Sequence, residues 1–227
     1  MTHLPKGWGE MRLDEVAAFS PRAPKPLEAF DPEITFLPMA AVHEVSGLTD
    51  LSQTIAVSEG KRKNLTHMED GDVIFAKITP CMENGKIAIV EGLTGGRAYG
   101  STEFHVLRPS GETDRRLLWY FLVRDDFRWE AERAMTGAVG QRRVPRKYLE
   151  ACSIPVPPVD EQAEIVRILD TQLARLDTVL AAVRAVRDKA DQFRRSLLRA
   201  AFTGQLTQPD PARGEALPKG WGEMRLD

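Results

Sequence analysis

From Asp160 to about Phe202 the chain contains neither proline nor glycine, the two residues that most readily end a helix. Along this stretch Ile165, Leu169, Leu173, Leu176, Leu180, Val183, Ala190 and Leu197 recur at steps of three, four and seven, with Arg and Asp on the other faces. The spacing predicts one helix of roughly 40 residues, about 60 Å long at 1.5 Å per residue. A lone helix of that length cannot bury its apolar stripe against its own domain, so the pattern requires a partner helix in a coiled coil. The eight stripe residues are therefore the candidate dimerisation seam. A bent core helix with a hidden break is the alternative. The stripe is imperfect near Val186 and Arg187, where a local stutter fits. Gly204 reads as the stop signal. Upstream, SIPVPPVDEQ at 153–162 carries three prolines and reads as a hinge, with Asp160 as the helix cap and Glu161 and Glu164 in the first turn.

Residues 1–155 read differently. Short apolar runs alternate with turn residues: ITFLPMAAV at 34–42, DVIFAKI at 72–78, KIAIVEG at 86–92 and TEFHVLRP at 102–109. These are strand and hairpin signals. One helical segment interrupts them at 114–134, with Leu117, Leu118, Phe121, Leu122, Phe127 and Ala131 at helical spacing. Trp119, Tyr120, Trp129 and Tyr99 read as core residues rather than stacking platforms. The expectation is an α+β fold: a β-rich domain over 1–155 with a mostly antiparallel or strongly bent sheet, a long coiled-coil helix over 156–206, and a tail over 207–227. That tail repeats the start of the chain, since LPKGWGEMRLD occurs at 4–14 and again at 217–227. A tandem duplication of which this chain holds one unit explains the repeat; an appended copy is the other explanation.

Cys81 and Cys152 form no bridge framework and have no metal-ligand spacing, and His3, His43, His67 and His105 are scattered, so no metal site is expected. There is no apolar run long enough to span a bilayer and no secretory signal, which makes the cytoplasm the default location. Net charge is −2. A nucleic-acid binder usually carries a basic excess, so any such reading must rest on where the charges sit.

Five segments resemble one family. GDVIFAKITPCMENGKIAIV at 71–90, GSTEFHVLRP at 100–109, TGAVGQRRVPRKYLEACSIPVPPVDEQAEIV at 136–166, SLLRAAFTGQL at 196–206 and LPKGWGEMRLDEVA at 4–17 are similar to the specificity subunits of Type I restriction-modification systems. The resemblance implies a non-catalytic target recognition domain that reads half of a split site in double-stranded DNA. It also implies a helix that sets the gap to a second half. The implied partners are modification subunits, which methylate adenine using S-adenosylmethionine, and a restriction subunit that cleaves. Members of the family typically hold two recognition domains and two helices. One of each here implies a second copy of the chain, or a second repeat, as the helix partner. No cofactor of its own is implied.

DNA recognition needs cations for phosphates and donors or acceptors for base edges. Lys61, Arg62 and Lys63 form one basic group. Arg142, Arg143, Arg146 and Lys147 form another, directly after the glycine-rich segment TGAVGQ, where Thr136 and Gln141 offer hydrogen bonds. Lys77, Thr79, Glu83, Asn84 and Lys86 flank a turn marked by Pro80 and Gly85, and Ser101 and Thr102 follow Gly100. Lys and Asn suit guanine and adenine edges, and Glu accepts from cytosine. These loops are the candidate DNA surface.

Two other function classes stand beside this one. PVPPVD at 155–160 lacks the leading Asn or Asp and the trailing aromatic of a methyltransferase tetrapeptide. Asp50 with Glu59 and Lys61 fits the loose spacing of a magnesium-dependent nuclease, although TDLSQTIAVSEGKRK reads as a surface connection. A coiled-coil interaction module without a DNA role is the third possibility.

Overall fold

The computed structural model describes residues 4–21 and 31–206; His3 and the second copy of the repeat at 217–227 lie outside them. In chain order the elements are β1 (Gly9–Arg12), α1 (Leu13–Val16), β2 (Ala17–Phe19), β3 (Glu33–Leu37), β4 (Thr54–Ala56), α2 (Val57–Arg62), β5 (Thr66–Glu69) and β6 (Val73–Ala76). Then follow β7 (Ile87–Ile89), β8 (Arg97–Gly100), β9 (Phe104–Pro109), α3 (Arg115–Val123), α4 (Asp125–Arg133), α5 (Arg146–Ala151), β10 (Ser153–Val156) and α6 (Val159–Phe202). The protein is α+β, a β-rich domain followed by one long helix. It separates into two compact units, dividing inside α6 between Arg167 and Ile168.

The apolar run VIFA explains the layout of the first unit. Every residue of β6 is buried, which requires cover on both faces. Val73 and Phe75 join Leu13, Met82, Leu107, Leu118, Leu122 and Leu149 in a core built with α1, α3 and α5. Ile74 and Ala76 join Leu37, Met68, Ala88, Phe104 and Val106 in a second core shared with the other sheet. One sheet runs β2-β9-β6-β7 and the other β4-β3-β8-β5. The first sheet is antiparallel throughout, whereas β3 and β8 run parallel in the second.

The helical segment expected over 114–134 is two helices. Asp114 caps α3, its carboxylate accepting from the Arg116 and Leu117 amides, and Arg124 is extended (φ −56°, ψ 139°), which ends α3 and opens α4. The Asp126 carboxylate then accepts from the Arg124 guanidinium and the Phe127 amide, holding the break. Trp129 on α4 is 58% exposed rather than core, with Arg133 stacked on its ring. Tyr99 is buried, and the Trp119 indole donates to the Ile87 carbonyl. The segment read as a surface connection holds β4 and α2; Gly60 lets α2 press against the Tyr99 ring, where a Cβ would lie 2.2 Å from a ring carbon.

The proline segment is tied down. β10 pairs antiparallel with β1, placing Pro155 opposite Glu10 in a two-stranded ribbon whose outer edge tolerates a missing donor. α6 starts at Val159, one residue before the expected cap, so Asp160 sits in the first turn with Glu161, where the helix dipole favours acids. The Trp8 indole donates to Glu161 at 2.9 Å.

In the second unit α6 continues to Phe202, a total of 44 residues, and Gly204 follows at φ +77°. Leu173, Leu176, Leu180, Val183 and Leu197 are exposed, as are Val179, Val186 and Phe193. No helix is long and apolar enough to cross a membrane among the described residues.

Candidate nucleic-acid interface

Three segments are stitched together by backbone hydrogen bonds at one end of the sheet β2-β9-β6-β7. Beyond β6, the Lys77 amide donates to the Glu103 carbonyl at 2.9 Å, which ties the 77–86 loop to the 101–103 turn. The Val144 amide donates to the Lys77 carbonyl at 2.8 Å, and the Thr79 amide to the Arg142 carbonyl at 3.0 Å, which ties both to residues 142–144. Those residues are the return arm of a hairpin whose stem is the reciprocal pair Thr136 and Arg143, bonded at 3.0 and 2.8 Å.

The hairpin tip spans residues 137–141 and requires glycine at its first position. Gly137 has φ +121°, and a Cβ there would approach the Gln141 carbonyl at 2.9 Å. The Gln141 amide closes the turn on the Ala138 carbonyl. Residues 136–141 are all exposed, and Val139 is fully so (100%).

The side chains of this cluster are matched in sign. The Arg143 guanidinium forks onto Glu103, Nε to Oε2 at 2.9 Å and Nη2 to Oε1 at 2.8 Å, and Nη1 donates to the Gln141 carbonyl at 3.0 Å. Arg142 lies looser, Nη2 at 3.3 Å from Glu132 and 3.8 Å from Glu83. The Thr79 hydroxyl donates to Glu83 Oε1 at 2.9 Å, while Glu83 Oε2 is buried without a hydrogen-bond partner. The Arg143 hydrogen bonds hold the Glu103 carboxyl below the usual carboxylate range, against a smaller desolvation effect. Arg143, Arg142 and Lys77 thus face Glu103, Glu132 and Glu83, and the cluster carries no basic excess. Under it His105 is buried, its Nε2–H donating to the Val144 carbonyl at 2.9 Å, and burial lowers its pKa.

The remaining sequence-selected residues fall in three places. Ser101 and Thr102 form the turn before Glu103, the Ser101 hydroxyl accepting the Glu103 amide. Asn84 is exposed and donates to Glu44 at 2.8 Å. The Lys86 ammonium donates to the Met39 and Val42 carbonyls at 3.1 and 2.9 Å, bracing the chain after β3, and the residue is half-buried. Lys61 and Arg62 end α2 and Lys63 follows; all three are exposed, with Glu59 accepting from Lys63 at 2.6 Å and lying 3.9 Å from Arg62. Among the described residues no hydrogen bond or ion pair joins α2 to the three-loop cluster.

Sequence spacing gives no sign that Glu103, Glu132 and Glu83 are the partners of these arginines, since they lie 10 to 59 residues away along the chain. On α6, Val179, Val186 and Phe193 complete a seven-residue register with Leu176, Val183, Ala190 and Leu197, and their spacing alone was the available signal. Asp50 caps the Ser52 amide and Glu59 pairs with Lys63, so each serves a local bond. Among the described residues no group of three or more His, Cys, Asp or Glu is arranged to hold a metal.

Comparison with known proteins agrees with this architecture. Residues 5–180 match the family model of the Type I restriction modification DNA specificity domain. The Type I restriction enzyme EcoEI specificity subunit of Escherichia coli is 35% identical over 225 residues, covering 97% of this chain and 36% of that protein. The EcoAI specificity subunit of the same species is 39% identical over 176 residues, covering 76% and 29%. The chain therefore spans about a third of these relatives. The crystal structure of the HsdS subunit from Thermoanaerobacter tengcongensis shares the fold, with a TM-score of 0.63 at 23% identity over 96% of this chain and 53% of that one. A chain from a structure of the type I R-M system gives 0.64 at 20% identity, over 88% and 47%. With the β-rich domain, the long helix and the family match in agreement, this chain belongs to the family of Type I restriction modification DNA specificity domains.

Proposed function

We propose that this chain is a non-catalytic DNA selector: its first unit reads one half of a split duplex site, and α6 sets the distance to the other half. The observation that carries this is the three-loop cluster, in which a small-residue hairpin with an exposed tip is locked by backbone bonds to the 77–79 and 101–103 segments. Such a surface offers rigid donors and acceptors to base edges. Phosphate attraction falls to cations outside the matched cluster, namely Lys61, Arg62 and Lys63 on and after α2, and Lys147. Thr136, Gln141, Arg142, Arg143, Lys77, Thr79, Asn84, Ser101 and Thr102 form the proposed reading surface.

The exposed seam of α6 supports pairing with a second helix, from another copy of the chain or from a second repeat. Two identical chains pairing antiparallel would read an inverted repeat with a fixed spacer, because protein symmetry imposes DNA symmetry. Modification subunits carrying adenine methyltransferase activity, with S-adenosylmethionine as their cofactor, and a restriction subunit are the proposed enzyme partners.

Binding to mixed-sequence duplex across a salt series tests the DNA role. The affinity is expected to fall with rising salt by about 0.9 log units per log unit for each phosphate contact. Salt-independent or undetectable binding would favour the interaction module instead.

A further inference from the structure

We propose that Arg143 reads a guanine base and that Glu103 is the positioning residue that holds it in the reading pose. This rests on the DNA-selecting role above and deepens it. A guanidinium has five N–H donors. Three are engaged: one on Nε and one on Nη2 with the two Glu103 oxygens, and one on Nη1 with the Gln141 carbonyl. One N–H remains on each η nitrogen. Guanine offers two neighbouring acceptors, O6 and N7, on its major-groove edge, and paired arginine donors are their commonest specific partner.

Two features separate this role from a phosphate clamp. Together Arg143 and Glu103 carry no net charge, so a phosphate attracted by one is repelled by the other. The pair is also held at both ends. The Arg143 backbone closes the hairpin stem against Thr136, and the Glu103 amide donates to Ser101 Oγ while its carbonyl accepts from Lys77. A side chain fixed in this way loses little rotamer freedom on binding. Its own exposure is 43%, so the free donors are not sealed inside. Arg142, touching carboxylates through one nitrogen at 3.3 and 3.8 Å, has no such constraint.

The test begins with selection of duplexes from a random-sequence pool by the purified chain, followed by replacement of each guanine in the enriched sequence by 7-deazaguanine. This analogue lacks the N7 acceptor and keeps Watson–Crick pairing. The expected result is one guanine per half-site at which the analogue weakens binding about tenfold. Arg143→Met should reduce that effect to under twofold while preferences at other positions persist, and Glu103→Gln should weaken the preference at the same guanine alone. The analogue scan uses the unaltered chain, so its outcome does not depend on any variant folding. Enrichment of a sequence in which no guanine N7 matters, or in which the Arg143→Met protein remains equally sensitive to the analogue, overturns the assignment and leaves the DNA-selecting role standing. Failure to enrich any sequence overturns both.

Discussion

The Gln162 side-chain carbonyl accepts the backbone N–H of Asp114 at 2.8 Å, joining the first turn of α6 to the cap of α3 across 48 residues of chain. Its amide group donates to the Pro157 carbonyl at 3.0 Å, and the residue is 2% exposed. The start of the long helix is therefore fixed to the β-rich domain by a buried amide that uses both ends. Gln162→Leu keeps the volume and strands the Asp114 donor and the Pro157 acceptor. It should lower stability by about 1–3 kcal/mol, read as a lower urea midpoint at unchanged slope. A loss under about 0.5 kcal/mol would mean that water replaces both bonds.

A second buried polar contact lies between the sheets. Asp72 is fully buried and accepts Arg108 Nε at 2.7 Å and Nη2 at 2.9 Å, as well as the Glu69 amide. Removing one partner leaves a buried charge uncompensated. Arg108→Met should destabilise by on the order of 3 kcal/mol, and adding Asp72→Asn should recover part of that loss, because Asp72, the more deeply buried of the two carboxylates that Arg108 pairs with, is then neutral and Glu69 alone is left without its arginine. Chemical denaturation of the single and double variants reads the difference; a double variant worse than Arg108→Met by the full cost of a second lesion would contradict it.

The pH dependence follows from His105 and His67, both held below the usual histidine range mainly by burial. A depressed folded-state pKa means that the unfolded chain takes up protons first as pH falls. Stability is therefore complete above the unfolded value of about 6.5 and is lost progressively below it, down through the folded pKa. Denaturation midpoints measured between pH 7.5 and 5 should fall, and His105→Gln should flatten that slope. Glu103, also depressed, acts in the same direction but only in the lower carboxylate range. A midpoint that rises on acidification would reverse the assignment.

On α6 the seam is testable by register. If Leu176, Val183, Ala190 and Leu197 alternate with Val179, Val186 and Phe193 at the helix pairing face, Val186→Asp should weaken self-association as much as Leu176→Asp. The expected loss is about 2–3 kcal/mol, or roughly 30- to 150-fold in dissociation constant. Sedimentation equilibrium measures it. Association unaffected by both substitutions would remove this face from the interface.

Charge placement predicts a division of labour. Lys61, Arg62 and Lys63 substituted together by Ala should flatten the salt dependence of DNA binding by up to about 2.7 log units per log unit, at about 0.9 for each lost phosphate contact. Arg143→Ala should weaken binding to the preferred sequence with little change in slope, since its charge is already matched by Glu103. A slope change of a full contact on losing Arg143 would assign it to phosphate.

Much of this was legible in the sequence, for identifiable reasons. The run DVIFAKI reads as a strand and the proline-free stretch as one long helix, because those signals are local, whereas the burial of β6 on both faces is a property of the fold. The break at Arg124 carries only a faint signal, the five-residue step from Leu122 to Phe127 among otherwise helical spacings; the extended Arg124 backbone and the Asp126 contacts to Arg124 and the Phe127 amide are what mark it. The site was half visible. The hairpin 136–143 stood out through its glycines and arginines, but nothing in the sequence showed that Glu103, forty residues earlier, accepts Arg143. In sequence Lys86 reads as any surface lysine; the Met39 and Val42 carbonyls that its ammonium bonds come from a segment more than forty residues earlier.

The central claim is that this chain selects the DNA on which partner enzymes act. Co-expression with a Type I modification subunit in a methylation-free host, followed by genome-wide mapping of methylated adenine, tests it most directly. The prediction is a single two-part motif with a fixed gap, whose one half changes when the 136–143 hairpin is altered. Adenine methylation with no shared motif, or with the same motif when this chain is omitted, would contradict it.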